Sequence, residues 1–183
     1  MESTRPAVSS GALVGLLLGA ASLGVQYPLG IVLKSGFAPY DLFGWLSRIL
    51  PGGLVTFGLE SLLGMMRLLG FPLAEAGKAG QAVLAISIYL AGAALVGTLI
   101  FMVLRRAGRP MGIPTRLVLG ALVSLPLLVA INAVSTLQDT TILYLHYVIV
   151  LLISVAWMLL LIWSYDRLAA LPPAQEGPRG EVR

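Results

Sequence analysis

Apolar residues run almost unbroken through four stretches of the chain, residues 10–33, 80–104, 117–134 and 142–165. Each is close to or beyond the roughly 20 residues that cross about 30 Å of hydrocarbon as a helix. The pattern predicts four transmembrane helices. Polar residues punctuate them: Arg105 and Arg106 end the second, "STLQDTT" separates the third from the fourth, and "YDR" closes the fourth. In the first, Gly11, Gly15 and Gly19 fall four apart, a spacing that lets another backbone approach closely but also recurs by chance in apolar helices. Pro28 and Pro126 lie inside the first and third runs and predict local kinks.

The pattern changes between residues 34 and 79. In "FAPYDLFGWLSRIL", Pro39 suits a helix start, and Asp41 sits in the first turn, where a negative charge complements the dipole. Leu42, Trp45, Leu46 and Ile49 share one face, with Asp41, Ser47 and Arg48 off it. That is an amphipathic interfacial helix over residues 39–50, with Tyr40 and Trp45 as aromatic anchors. Pro51-Gly52 breaks it, and a second helix is expected over residues 51–70. There Gly53, Thr56, Glu60, Gly64 and Arg67 form a polar stripe within about 80° of arc at 100° per residue.

Whether residues 51–70 span is a close balance. About ten strongly apolar side chains contribute roughly −0.3 to −0.6 kcal/mol each, and Glu60 with Arg67 oppose them by roughly 5 to 7 kcal/mol. Loop charge pulls the other way. If the segment spans, Lys34, Arg48, Arg105, Arg106, Arg109 and Arg116 all fall on one side, leaving Arg5 and Lys78 on the other.

Composition narrows the class. With 58% hydrophobic and 11% charged residues, the chain has about half the charge of an ordinary soluble domain. The net charge of +4 fits a cytoplasmic loop bias better than nucleic-acid binding. Having no cysteine, the chain excludes disulfides, iron–sulfur clusters and thiolate–metal bonds. Its single histidine excludes a haem held by two histidines of one chain. The first apolar run is too long for a signal-peptide core and reads as a retained helix. Residues 1–9 are expected on the cytoplasmic side, residues 10–168 as a single membrane domain, and the Pro/Gly-rich residues 169–183 as a disordered tail.

The stretch "FAPYDLFGWLSRILPGGLVTFGLESLLGMMRLLG", continued by "AEAGKAGQAVLAISIYLAGAALVG", resembles the N-terminal membrane region of bacterial molybdopterin-dependent oxidoreductases of the sulfite-oxidase-like type. Phe37 and Pro39, Leu50-Pro51-Gly52, Phe57-Gly58 and Gly77-Lys78 carry the resemblance, which covers residues 10–105. It implies that the Pro-Gly segment lies on the outer face between the first two spans. It also implies a catalytic domain following the membrane region, which holds molybdenum through a cysteine thiolate. Here the sequence departs: no such domain follows the fourth apolar run, and there is no cysteine. The expectation is the membrane module alone. The fold expected is thus an all-α polytopic bundle of four transmembrane helices plus an amphipathic interfacial hairpin, with both termini cytoplasmic in a bacterial plasma membrane. Five spans are the alternative.

Four polar residues are candidates for chemistry. His146, flanked by Tyr144 and Tyr147 near the outer end of the fourth span, could serve quinone or proton transfer together with Asp139, or sit passively in an aromatic belt. Glu60 and Arg67, seven residues and about 10 Å apart, cannot pair within one helix. They either face water or pair with another chain or a polar pocket. Glu75 and Lys78 form a local helix-start pair, and Asn132 either packs or bonds across helices. No nucleophile–base set, metal-ligand spacing or phosphate loop appears, so no cofactor and no enzymatic activity is expected of this chain. Three functions remain: a membrane anchor or interaction module for a redox enzyme on the outer face, a small transporter or channel subunit, and a quinone-handling redox subunit. Lipid is the expected environment, an oligomer is allowed, and no nucleic-acid partner is expected.

Overall fold

The computed structural model describes residues 6–68, 73–107, 112–134 and 139–170. Six helices follow one another: α1 Val8–Leu33, α2 Ala38–Ile49, α3 Gly52–Leu68, α4 Leu73–Ala107, α5 Ile113–Val134 and α6 Thr140–Ala169. Among the described residues there is no strand, and the fold is an all-α bundle. Four helices are long and apolar enough to cross a membrane: α1, α4 from Ala79 onward, α5 and α6. The 17-residue α3 is not one of them.

Polarity is distributed as a lipid-embedded bundle requires. Leu13, Leu17, Val25, Leu122, Leu125, Val148 and Leu152 are exposed on the outside. Inward-facing positions include Gly11, Gly15, Gly19, Ser22, Gln26, Gly120, Ser124, His146 and Ser154. In water such outer faces would drive association; in lipid they meet a solvent as apolar as themselves, and small and polar groups pack between helices. The chain is a multi-pass membrane protein.

Helix boundaries differ from the sequence expectation mainly in length. The second span is expected from residue 80, with Glu75 and Lys78 as its helix-start pair, and α4 begins at Leu73, just ahead of that pair. Its Ala, Glu and Lys residues are good helix formers and extend the span by nearly two turns. Helix α5 starts at Ile113, four residues early, with Pro114 in the first turn, where its missing N–H leaves no bond unmade. Helix α6 runs on to Ala169, into the segment expected as tail. The helices continue through Pro28 and Pro126.

Helices α1 and α4 pack antiparallel along a seam of small residues. A Cβ built on Gly11 would lie 2.6 Å from the Phe101 ring, and one on Gly19 would lie 2.7 Å from the Ala93 Cβ. One on Gly15 would overlap the Ala93 carbonyl oxygen, and one on Gly97 the Gly11 carbonyl oxygen. The glycine spacing in α1 is therefore a contact surface, and its counterpart on α4 is Ala93 and Gly97. Helices α5 and α6 are also antiparallel. Arg116 pairs with Asp166 at 2.9 Å at one end, and Tyr147 Oη donates to Asn132 Oδ1 at 3.2 Å at the other. Leu104, Trp157, Met158, Leu161 and Ile162 form a core near the first of these ends, with Val14 and Leu18 of α1 against it.

The two ends of the bundle differ in charge. Arg105, Arg106, Arg116 and Arg167 gather where α4 and α6 finish and α5 begins. Arg167 stacks over the Trp163 ring at 5.3 Å, and Tyr165 lies on Phe101 at 5.1 Å. At the opposite end, α1 stops at Lys34, which takes a left-handed conformation with φ 51°. The chain then turns through Gly36 into α2, which packs on α5 and α4 and reaches α6 through Asp41.

Candidate functional site

The α2 end holds the most unusual polar group in the bundle. The first turn of α2 carries Asp41, and the second turn of α6 carries His146. His146 Nε2 donates to Asp41 Oδ2 at 3.0 Å. Both are deeply placed, with side-chain exposures of 3% for His146 and 14% for Asp41. The link between α1 and α2 closes over them. A Cβ on Gly36 would lie 2.9 Å from His146 Nε2 and 3.1 Å from Asp41 Oδ2, so only glycine lets the backbone pass this close. Ala38, Ile131 and Val150 pack beside the pair. An edge-to-face row of Tyr27, Phe37 and Tyr40 flanks the turn at 5.9 and 5.2 Å.

This arrangement bears on two expectations. Asp41 was assigned to the polar side of an amphipathic α2, but it faces inward. Burying a carboxylate is costly unless a partner offsets it, and His146, 105 positions away, is that partner. The hydrogen bond of His146 also goes to Asp41 and not to Asp139. Asp139 is the N-cap of α6, its Oδ1 accepting from the N–H groups of Thr141 and Ile142 at 2.8 and 3.4 Å. Side-chain capping of this kind satisfies donors that the first helical turn leaves open. With Nε2 engaged, His146 Nδ1 is buried and has no hydrogen-bond partner among the described residues.

Two further contacts fix α2. Arg48 Nη1 donates to the Ala133 carbonyl oxygen at 2.8 Å, serving one of the open acceptors in the last turn of α5. Gly44 sits so close to Val134 that a Cβ there would meet its Cγ1 at 2.9 Å. Asn132, which could have packed passively, takes the Tyr147 hydroxyl and ties α5 to α6 beneath this crossing.

A second polar group, not anticipated from the sequence, lies between α1 and α4. Ser22 Oγ donates to the Gly19 carbonyl at 2.7 Å, so its one hydrogen is used. Tyr89 Oη, 3.0 Å away, must then donate to Ser22 Oγ, and it accepts from Gln26 Nε2 at 3.1 Å. The result is a chain of one polarity from Gln26 through Tyr89 and Ser22 to Gly19. Gln26 Oε1 is buried without a partner. Tyr89 also borders an apolar cavity of about 230 Å³. Leu42 of α2, Val96 of α4, Leu127 of α5, and Ser154 and Trp157 of α6 contribute to its walls.

Glu60 and Arg67 stand apart from all of this. Both are exposed on α3. Helix α3 packs chiefly on α4, and its Gly52, Gly53, Gly58 and Gly64 have no neighbouring atom within 4 Å of where a Cβ would stand. The side chains of Glu75 and Lys78, and Arg109, lie outside the described residues. Among the described residues, no three His, Asp or Glu side chains gather as metal ligands.

Comparison with family models, with curated proteins and with solved structures finds no match to this chain.

Proposed function

We propose that this chain is a bacterial membrane anchor and docking module whose α2 end, on the outer face of the plasma membrane, receives an extracytoplasmic molybdopterin oxidoreductase. One observation carries the reading. Helix α2 is locked across the bundle end by three contacts: Asp41 to His146, Arg48 to the Ala133 carbonyl, and Gly44 against Val134. A helix held in this way presents a fixed outer surface, on which Tyr40, Ile49 and Leu50 are exposed. Pre-organisation of this kind favours docking because little ordering remains to be done on association. The orientation follows from the arginines gathered at the opposite end, which the positive-inside bias assigns to the cytoplasm. The resemblance of residues 10–105 to the membrane region of molybdopterin-dependent oxidoreductases supplies the class of partner.

The test is purification of the tagged chain from its native membrane in mild detergent, followed by metal analysis and pterin fluorescence. Molybdenum and pterin should co-purify in fixed ratio to the chain. Ile49→Glu on the exposed end of α2 should release them while the chain still elutes as a folded species. Absence of both signals from the wild-type preparation would refute the docking reading.

A second reading is favoured by the unpartnered His146 Nδ1. A neutral imidazole that donates from Nε2 presents Nδ1 as an acceptor. A quinol hydroxyl reaching that atom would find a base held in orientation by Asp41. His146→Gln should then abolish quinone-linked turnover of the assembled complex while leaving the molybdenum content unchanged. Unaltered turnover removes this reading and leaves the anchor.

A further inference from the structure

We propose that α3 is a self-association surface. In this arrangement two copies of the chain pair antiparallel through α3, with Glu60 of each opposite Arg67 of the other, about a two-fold axis beside Gly64.

Glu60 and Arg67 are both exposed, and neither has an ion-pair or hydrogen-bond partner among the described residues. Seven residues of helix place them about 20° apart around the axis and about 10 Å apart along it. They therefore share a face and cannot meet each other. That spacing is self-complementary. When a second α3 is laid antiparallel with its midpoint between residues 63 and 64, each Glu60 faces an Arg67, and two ion pairs form by symmetry. The same register sets Leu63 of each copy over Gly64 of the other. No atom of the described residues lies within 4 Å of a Cβ position at Gly64, so the second helix can come close there. An isologous contact of this kind is what a two-fold interface requires, since each residue that makes a contact also receives it.

The membrane adds a constraint. Two copies inserted the same way round can be related only by a two-fold axis along the membrane normal. About such an axis, a helix lying in the membrane plane meets its mate antiparallel, and a helix spanning the bilayer meets its mate parallel. Parallel pairing would bring Glu60 against Glu60 and Arg67 against Arg67, with like charges opposed in a poorly screened setting. The opposed signs on this stripe thus fit an α3 in the interface plane, paired across the axis. The proposal is independent of which enzyme docks on α2.

The chain contains no cysteine, so each introduced thiol is the only one present. Oxidative cross-linking in native membranes reads the geometry directly. Gly64→Cys and Leu63→Cys, next to the axis, should each cross-link to themselves. Thr56→Cys should not, because its two copies fall about 22 Å apart along the antiparallel pair at 1.5 Å per residue. On the Gly64→Cys background, Glu60→Arg or Arg67→Glu should lower the cross-linked fraction about tenfold. The double reversal should restore it, because the charges are again opposed. Three outcomes overturn the proposal. If Gly64→Cys and Leu63→Cys both stay monomeric in chains that extract as folded protein, α3 does not self-associate. If Thr56→Cys cross-links as well as Gly64→Cys, the helices pair parallel. If the double reversal fails to restore dimers, the charges serve lipid headgroups and not a second copy.

Discussion

Both α1 and α3 are rich in glycine, and the two helices use it in opposite ways. On α1, Gly11, Gly15 and Gly19 leave no room for a methyl group, because Ala93, Gly97 and Phe101 of α4 occupy that space. On α3, Gly52, Gly53, Gly58 and Gly64 have no atom of the described residues within 4 Å of a Cβ position. Glycine spacing alone does not distinguish these cases. A seam needs small residues on both sides, and α4 supplies Ala93 and Gly97 for α1. Helix α3 has no such complement among the described residues; its stripe carries charges instead. A close seam is finished business inside one molecule, whereas an open stripe with charges is a surface still to be satisfied.

The largest effect that can break this comparison is expected at the seam. Gly97→Leu forces a side chain into the backbone of Gly11 and Gly15. Overpacking against backbone should destabilise the bundle by about 3 kcal/mol or more, read as a large fall in Tm in detergent. A wild-type Tm in this variant would mean that α1 and α4 do not meet as described.

Next is the polar lock at the bundle end. Asp41→Ala leaves His146 buried beside a lost partner and should lower stability by about 1–3 kcal/mol. Adding His146→Leu should recover part of that loss, since two apolar groups leave nothing unpaired. A double variant less stable than Asp41→Ala alone would show that the histidine has another partner. Tyr89→Phe removes the hydroxyl between Gln26 and Ser22 and should lower stability by about 1 kcal/mol, since two bonds are lost at a mean of about 0.6 kcal/mol each between membrane helices.

The smallest change has the opposite sign. Gly58→Ala on α3 meets no atom and should raise helix stability by up to about 1 kcal/mol. Together, Gly97→Leu and Gly58→Ala give the comparison its sharpest form: the same residue type is enlarged in two helices, with a loss in one and a gain in the other.

Much of the fold was legible because lipid imposes simple rules. Four apolar runs of sufficient length mark the four candidate spans, and Pro39 and Pro51 bracket α2 to within a residue or two. The start of α4 was legible only in part: Glu75 and Lys78 read as a helix-start pair, but apolar periodicity begins only near residue 80, whereas the helix-forming "AEAGKAG" is already helical from Leu73. The site was only half legible. His146 and Asn132 stand out as polar residues in apolar surroundings. Asp41 does not, because a carboxylate in a first helical turn already has an ordinary explanation in the helix dipole. Its partner is 105 positions away, and periodicity within one helix carries no information across that distance. Asp139 misled for the matching reason, since an acid near a histidine in sequence can equally be the cap of the same helix. Tyr89 was hidden inside the most uniform apolar run of the chain, where an aromatic reads as packing. The one available signal was its pairing with Ser22 and Gln26, both polar and both inside the first span.

That hydroxyl has a mechanical consequence. Gly11, Gly15 and Gly19 repeat every four residues, about 6 Å along the axis, so the seam is nearly periodic. If α1 slid by one repeat against α4, small residues would again face small residues, and close approach alone would scarcely resist the shift. Tyr89 occurs once. A slip of one repeat would pull its hydroxyl away from Ser22 and Gln26 and strand all three groups in a dry interior. The glycines make the track smooth, and the tyrosine is the detent that fixes where α1 stops.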